Sequence, residues 1–181
     1  RIERVWGGMF PGRDEEELRW LALAYELAVH PVRPTPGCRR LLRRLRRRGL
    51  VLGILSNAQF YTPLQFQALL GGGPEKLGFA PSLCLFSFEH GIAKPQDTLF
   101  ELAAGRLERL GIARRQAVMV GNELKTDVIP AARCGFMTVL LSGDRAACGP
   151  QSPAFAEGRP DAVIGRLGDL EILIERAAKT C

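Results

Sequence analysis

The stretch VGNELKTD, Val120 to Asp127, follows an apolar run, Ala117 to Val120, and leads into a helix-like segment, Val128 to Cys134. A strand that ends in Gly121-Asn122-Glu123 and sets Asp127 in the first turn of the next helix collects amide and carboxylate oxygens at its carboxyl end. In parallel sheets that edge is where ligands bind, and hard oxygen donors suit a divalent cation. Helix capping and complementation of the helix dipole would use the same residues. The rest of the chain has to decide between these readings.

Outward from that stretch, apolar runs and helical patterns alternate. LVLGIL (50–55) is continuous and apolar, as expected of a strand buried on both faces. LCLFSF (83–88), AVMV (117–120), MTVLL (137–141) and DAVI (161–164) are four further candidate strands. Between them lie a helix-like segment after Pro63, the helix 97–111 with its glycine end, and Val128 to Cys134; LGDLEILIERAAK closes the chain with a helix. Residues 142–160 are rich in Gly, Pro and Ser and read as a surface loop. This alternation predicts a parallel sheet covered on both faces. Upstream, DEEELRWLALAYELAV (14–29) predicts a helix capped by Asp14, with Leu18, Leu21, Ala22 and Tyr25 at helical spacing. HPVRPTPG (30–37), with three prolines, is a connector.

The chain of 181 residues is long enough for one domain with a sizeable core. Its 46% hydrophobic and 24% charged residues are those of an ordinary globular protein. No apolar run approaches the length of a membrane span, and no signal-peptide pattern is present. The five cysteines are widely spaced, without CxxC pairs, and read as free thiols of a cytoplasmic protein. Much of the net charge of +6 sits in RRLLRRLRRR (39–48). On a helix, Leu41, Leu42 and Leu45 make one apolar face and the arginines spread around the rest. No aromatics interleave with them, so the stretch is expected to be a solvated helix covering the sheet, not a nucleic-acid site.

Three predicted strand ends carry polar groups. LGILSN places the Ser56 hydroxyl and the N–H of Asn57 where a phosphate oxygen would accept from them; a serine capping a turn is the plain alternative. In AKPQDTLF, Pro95 keeps Lys94 extended, ahead of the helix; there a cation can neutralise a phosphate, although a solvated lysine fits as well. Asn122, Glu123 and Asp127 are the oxygen donors already described.

Taken in order, these segments resemble motifs II, III and IV of the haloacid dehalogenase-like (HAD) hydrolase superfamily: the apolar strand ending in serine (LVLGILSN), the Lys-Pro helix start (AKPQDTLF), and the glycine-acid turn followed by a helix and an AGF-like turn (VGNELKTDVIPAARCGF). The resemblance covers roughly residues 32–178. It implies a doubly wound, Rossmannoid parallel sheet in residues 32–181, with residues 1–31, including a loop at WGGMFPG, as the tail of a helical cap. It further implies a Mg²⁺-dependent phosphatase that works on a small phosphorylated substrate through an aspartyl-phosphate. Ser56 and Lys94 would be catalytic, Ser56, Asn57 and Lys94 would bind the phosphate, and Asn122, Glu123 and Asp127 would hold Mg²⁺. Asp127 is expected to be an exposed acid. No nucleic-acid or membrane partner is implied, and the oligomeric state is not readable.

The sequence departs from the family pattern twice. Asn122 stands where the family has the leading aspartate of motif IV, with Glu123 one position later. Motif I, DxDx[TV], is absent: no two of the six aspartates stand two apart. The chain is therefore expected to be the C-terminal portion of a longer protein whose nucleophile strand lies between 50–55 and 117–120. A non-catalytic protein of the same fold, binding a phosphorylated ligand or a partner, is the alternative. Carbon–halogen cleavage is a third reading, less favoured by the acids of motif IV.

Overall fold

A computed structural model describes residues 2–143 and 158–180. Two helices open the chain, α1 (Ile2–Met9) and α2 (Glu15–Val29). Asp14 caps α2 in a capping box: its carboxylate accepts from the N–H of Glu17 at 2.8 Å, and the Glu17 carboxylate accepts from the N–H of Asp14 at 3.2 Å. Leu18 and Ala22 are buried, as their spacing predicts. Tyr25 is half exposed, and its ring meets Trp6 edge-on at 5.3 Å. Trp6 also stacks on Phe10 at 5.7 Å. The expected loop at WGGMFPG is therefore largely helical, with the chain turning only after Met9; the aromatic contacts of Trp6 hold that helix against α2.

The rest alternates: α3 (Cys38–Arg47), β1 (Leu52–Ser56), α4 (Thr62–Leu70), β2 (Phe79–Phe86), α5 (Ser87–His90), α6 (Asp97–Arg109), β3 (Val118–Gly121), α7 (Ile129–Arg133), β4 (Met137–Leu141), β5 (Ala162–Ile164) and α8 (Asp169–Thr180). All five expected strands are present and every recorded pairing is parallel. β2 begins earlier than its apolar run, at Phe79, and takes in Pro81. Its register against β1 jumps from Leu52↔Phe79 to Ile54↔Cys84, so the intervening residues bulge out and Pro81 removes no ladder bond. The strand stops at Phe86, and Ser87 and Phe88 belong to the helical turn α5. Most of the loop expected at 142–160 lies outside the described residues.

The strands form two sheets, β1–β2 and β3–β4–β5. Shared helices join them into one layered body. On one face, Leu41 and Leu45 of α3 and Leu170 of α8 pack with Leu52 of β1, Val120 of β3, Val139 of β4 and Ile164 of β5. On the other, Phe100 of α6 and Ala131 and Cys134 around α7 pack with Leu55 and Met119. Val120 and Met119 thus serve opposite faces, as the two-residue period of a strand requires. Each leucine buried in this way contributes about 2 kcal/mol. The arginine-rich α3 is the amphipathic cover that its pattern predicts, and Arg44 of α3 binds Glu171 of α8 at 2.8 Å.

The two strands that border the break bury less than their neighbour: no residue of β1 or β3 is fully buried, whereas Thr138, Val139 and Leu140 of β4 are. Among the described residues, β1 pairs only with β2, and β3 only with β4.

Candidate active site at the carboxyl ends of β1 and β3

β1 delivers Ser56 and Asn57 to the sheet's carboxyl edge. Ser56 is half-buried, paired in register with Phe86. The next turn is fixed by Ser87: its hydroxyl accepts from the N–H of Ala58 at 2.9 Å and donates to the Ala58 carbonyl at 3.1 Å. The side chain of Asn57 grips the backbone of Lys94 from both sides. Its Nδ2 donates to the Lys94 carbonyl at 2.9 Å, and the Lys94 N–H donates to its Oδ1 at 2.7 Å. Sequence reasoning gave Asn57 only a backbone role. The available signal was an amide side chain directly after a strand, a residue type that commonly bonds nearby backbone.

Held in this way, Lys94 reaches Asp127. Its Nζ donates to Asp127 Oδ1 at 2.5 Å, and the two side chains are only 12% and 6% exposed. Asp127 Oδ2 accepts the N–H groups of Asn122 and Glu123, both at 3.1 Å. The aspartate expected to be an exposed acid is thus buried and ion-paired, because the chain doubles back after β3. The carbonyl of Glu123 accepts from both Asp127 N, at 2.9 Å, and Val128 N, at 3.3 Å. This closes a π-helical turn, Leu124–Val128, ahead of α7 where a plain α-helix was expected. Such turns insert one extra residue and re-aim a side chain.

Gly121 makes the reversal possible. A Cβ at that position would lie 2.2 Å from Asp127 Cβ and 2.5 Å from Oδ2. No side chain fits there without displacing the aspartate.

Lys94 and Asp127 are therefore brought together, and Ser56 stands beside the Asn57 that anchors them. Asn122 and Glu123 contribute backbone N–H groups, while their side chains are exposed. The Glu123 carboxylate accepts from the Thr126 hydroxyl at 2.7 Å. Among the described residues no three His, Cys, Asp or Glu side chains cluster as a ready metal cage. Mg²⁺ uses only one or two carboxylates and keeps several waters. One buried carboxylate, one exposed carboxylate and an amide oxygen therefore suit it in kind.

The N-terminal helices touch the segment that follows Asn57. Tyr61 is buried and hydrogen-bonded to Glu26 of α2; burial first, then the Glu26 charge and that bond, push its hydroxyl up to about 12. The Arg19 guanidinium lies over the Phe60 ring, 5.2 Å from its centroid. Neither contact was anticipated, since nothing in the local sequence pairs positions so far apart in the chain.

The chain is similar to several known proteins. A phosphoserine phosphatase of Thermus thermophilus is 35% identical over 161 residues, 88% of this chain and 58% of the relative. A glyceraldehyde 3-phosphate phosphatase of Pyrococcus furiosus is 29% identical over 150 residues, 75% of this chain and 59% of the relative. The chain thus spans under two-thirds of the length of these curated relatives. In solved structures, a 2-haloacid dehalogenase of Pseudomonas syringae superposes with a TM-score of 0.65 at 23% identity, covering 97% of this chain and 70% of that one. A HAD phosphatase of Thermococcus onnurineus superposes with a TM-score of 0.59 at 21% identity, covering 96% and 86%. These structural likenesses speak for the fold. The haloacid dehalogenase-like hydrolase family matches residues 2–135, most of the chain, and on that match the chain belongs to this family.

Proposed function

We propose that the protein is a Mg²⁺-dependent phosphatase acting on a small phosphorylated substrate through an aspartyl-phosphate. The observation that carries this reading is the buried Lys94–Asp127 pair, locked by Asn57 on one side and by two backbone amides on the other, at the carboxyl ends of β1 and β3. Relatives named as phosphatases of phosphoserine and of glyceraldehyde 3-phosphate support a small phosphate ester as substrate.

In this reading the Ser56 hydroxyl and the Asn57 N–H donate to phosphoryl oxygens. Lys94 neutralises the charge that builds on them, at a position its own backbone cannot leave. Asp127 orients the lysine. Mg²⁺, held by Asp127 with Asn122 and Glu123 directly or through water, would supply further positive charge at the phosphoryl group.

None of the six aspartates is placed as a nucleophile by its sequence context. We assign that role to a further strand lying between β1 and β3, from a part of the protein outside these 181 residues or from another chain. The support is that β1 and β3 are each paired on one side only among the described residues, and the cost, about 1–3 kcal/mol each, of leaving buried backbone groups unpaired.

Two measurements test the proposal. The full-length protein should hydrolyse para-nitrophenyl phosphate only with Mg²⁺ present; undiminished turnover in excess EDTA overturns the metal. The 181-residue chain alone should unfold over a broad denaturant range, and a sharp cooperative transition would remove the need for another strand. Binding of phosphate without turnover by the full-length protein would leave the non-catalytic reading, for which the full engagement of both Asp127 oxygens already speaks.

A further inference from the structure

The arginines of α3, with Arg48 at its C-cap, face different partners. Arg44 and Arg48 turn to α8 and pair with Glu171 and Glu175. Arg39, Arg43 and Arg46 line a different side, and with Lys76 they wall a groove of about 600 Å³ that includes Leu42 and Leu77. These four cations form no ion pair among the described residues, and no carboxylate lines the groove. Ser56, Asn57, Lys94 and Asp127 are not among its lining residues, so it is separate from the cleft described above.

Uncompensated like charges around a concavity focus positive potential into it. Guanidinium forks match phosphate oxygens in pairs. The Arg46 stem is seated close against the chain: a Cβ at Gly78 would come within 2.9 Å of Arg46 Cδ. The volume lies within the range of about 300–1,000 Å³ usual for small-molecule sites. Leu42 and Leu77 offer apolar contact to a body attached to the phosphates. With no aromatic ring in the lining, there is no platform for the stacked bases of a single strand.

We propose that this groove binds a small polyphosphorylated metabolite, a compound carrying several phosphate charges on a partly apolar body, at a site distinct from the catalytic one. The proposal is independent of the phosphatase reading. ATP and inorganic triphosphate are suitable probes, titrated calorimetrically into the full-length protein at about 0.15 M NaCl, where diffuse attraction is largely screened. Lys94→Gln as background keeps the catalytic cleft from contributing. One saturable site is expected, tighter for ATP than for triphosphate because the leucines meet the organic body. Arg43→Gln with Arg46→Gln should weaken ATP binding by about tenfold or more, whereas Arg44→Gln with Arg48→Gln should change it less than about twofold. If the first pair unfolds the protein, Arg43→Lys with Arg46→Lys retains the charge, loses the fork, and should still weaken binding. Equal weakening by the two glutamine pairs would reduce the effect to net charge and overturn the site. Absence of saturation, or tighter binding of an RNA oligomer than of ATP, would overturn it as well.

Discussion

Two aspartates sit near opposite edges of the strands, each bound to several donors, and they differ in what those donors are. Asp127, past the carboxyl end of β3, accepts from Lys94 and from two backbone amides. Asp161, just before β5, accepts from the N–H and the hydroxyl of Thr138, at 2.7 and 2.9 Å, while its own N–H donates back to that hydroxyl at 3.2 Å. Hydrogen-bond satisfaction alone does not tell them apart. The difference lies in the partner and the setting. Asp127 is buried against a cation at the edge where parallel strands present ligands, and Asp161 is exposed and, among the described residues, bound to the neutral groups of Thr138. A full set of hydrogen bonds therefore marks a residue that is held; burial against a cation at the ligand-binding edge is what sets Asp127 apart.

The largest effect should come from splitting the buried pair. Asp127→Asn in the full-length protein should lower phosphatase turnover by about 10²–10³-fold, the size of loss when a preorganised charge is removed. It should also destabilise the fold by about 3–5 kcal/mol, because Lys94 is left buried and unpaired. Urea unfolding of Asp127→Asn, Lys94→Gln and the double variant measures the coupling: the double should cost less than the two singles together. Strict additivity would mean that the ion pair carries no energy of its own.

Gly121→Ala comes next. The new methyl group must push Asp127 away, so a stability loss of about 1–3 kcal/mol is expected together with a large fall in turnover. Turnover near the wild-type value would show that Asp127 tolerates displacement and would weaken its role as the lysine's anchor.

Asp161→Asn should behave oppositely. It weakens the bonds to the fully buried Thr138 and should cost about 1–3 kcal/mol, with turnover per folded molecule unchanged. Loss of turnover in a folded Asp161 variant would erase the contrast between the two edges.

The fold was largely legible in the sequence because apolar runs and helical periods are local patterns. The strands at 50–55, 117–120, 137–141 and 161–164 appear within two residues of their expected limits, and Leu41 and Leu45 cover the sheet as their spacing demands. Order and spacing singled out Ser56, Lys94 and Asp127 in the sequence, and of these Lys94 does meet Asp127. What escaped were features set by chain reversal and by contacts distant in sequence. The π-helical turn that buries Asp127 follows from one carbonyl, Glu123, taking two N–H groups, which no periodicity reports. The clasp of Asn57 on Lys94 spans 37 residues. The bulge that admits Pro81 into β2 depends on the register with β1.

The smallest expected effect concerns the N-terminal helices, and it tests whether their contact with the segment after Asn57 stabilises the fold. The Tyr61 hydroxyl stands at about 12 in the folded chain against an unfolded value near 10, first because of burial and then because Glu26 lies beside it. The neutral form is the one the fold prefers. Stability from this group is therefore complete below the unfolded value and is lost as pH rises through the interval between about 10 and 12. Thermal unfolding of the wild type should show a fall over that interval that Tyr61→Phe lacks, measured as the difference in Tm between the two at each pH. Tyr61→Phe should also cost about 0.5–1.5 kcal/mol at neutral pH through the lost bond to Glu26, and Glu26→Gln should recover a smaller loss because an amide can still accept. Identical pH profiles for wild type and Tyr61→Phe would mean that the hydroxyl is not held against α2, and that the N-terminal helices meet this segment only through Arg19 and Phe60.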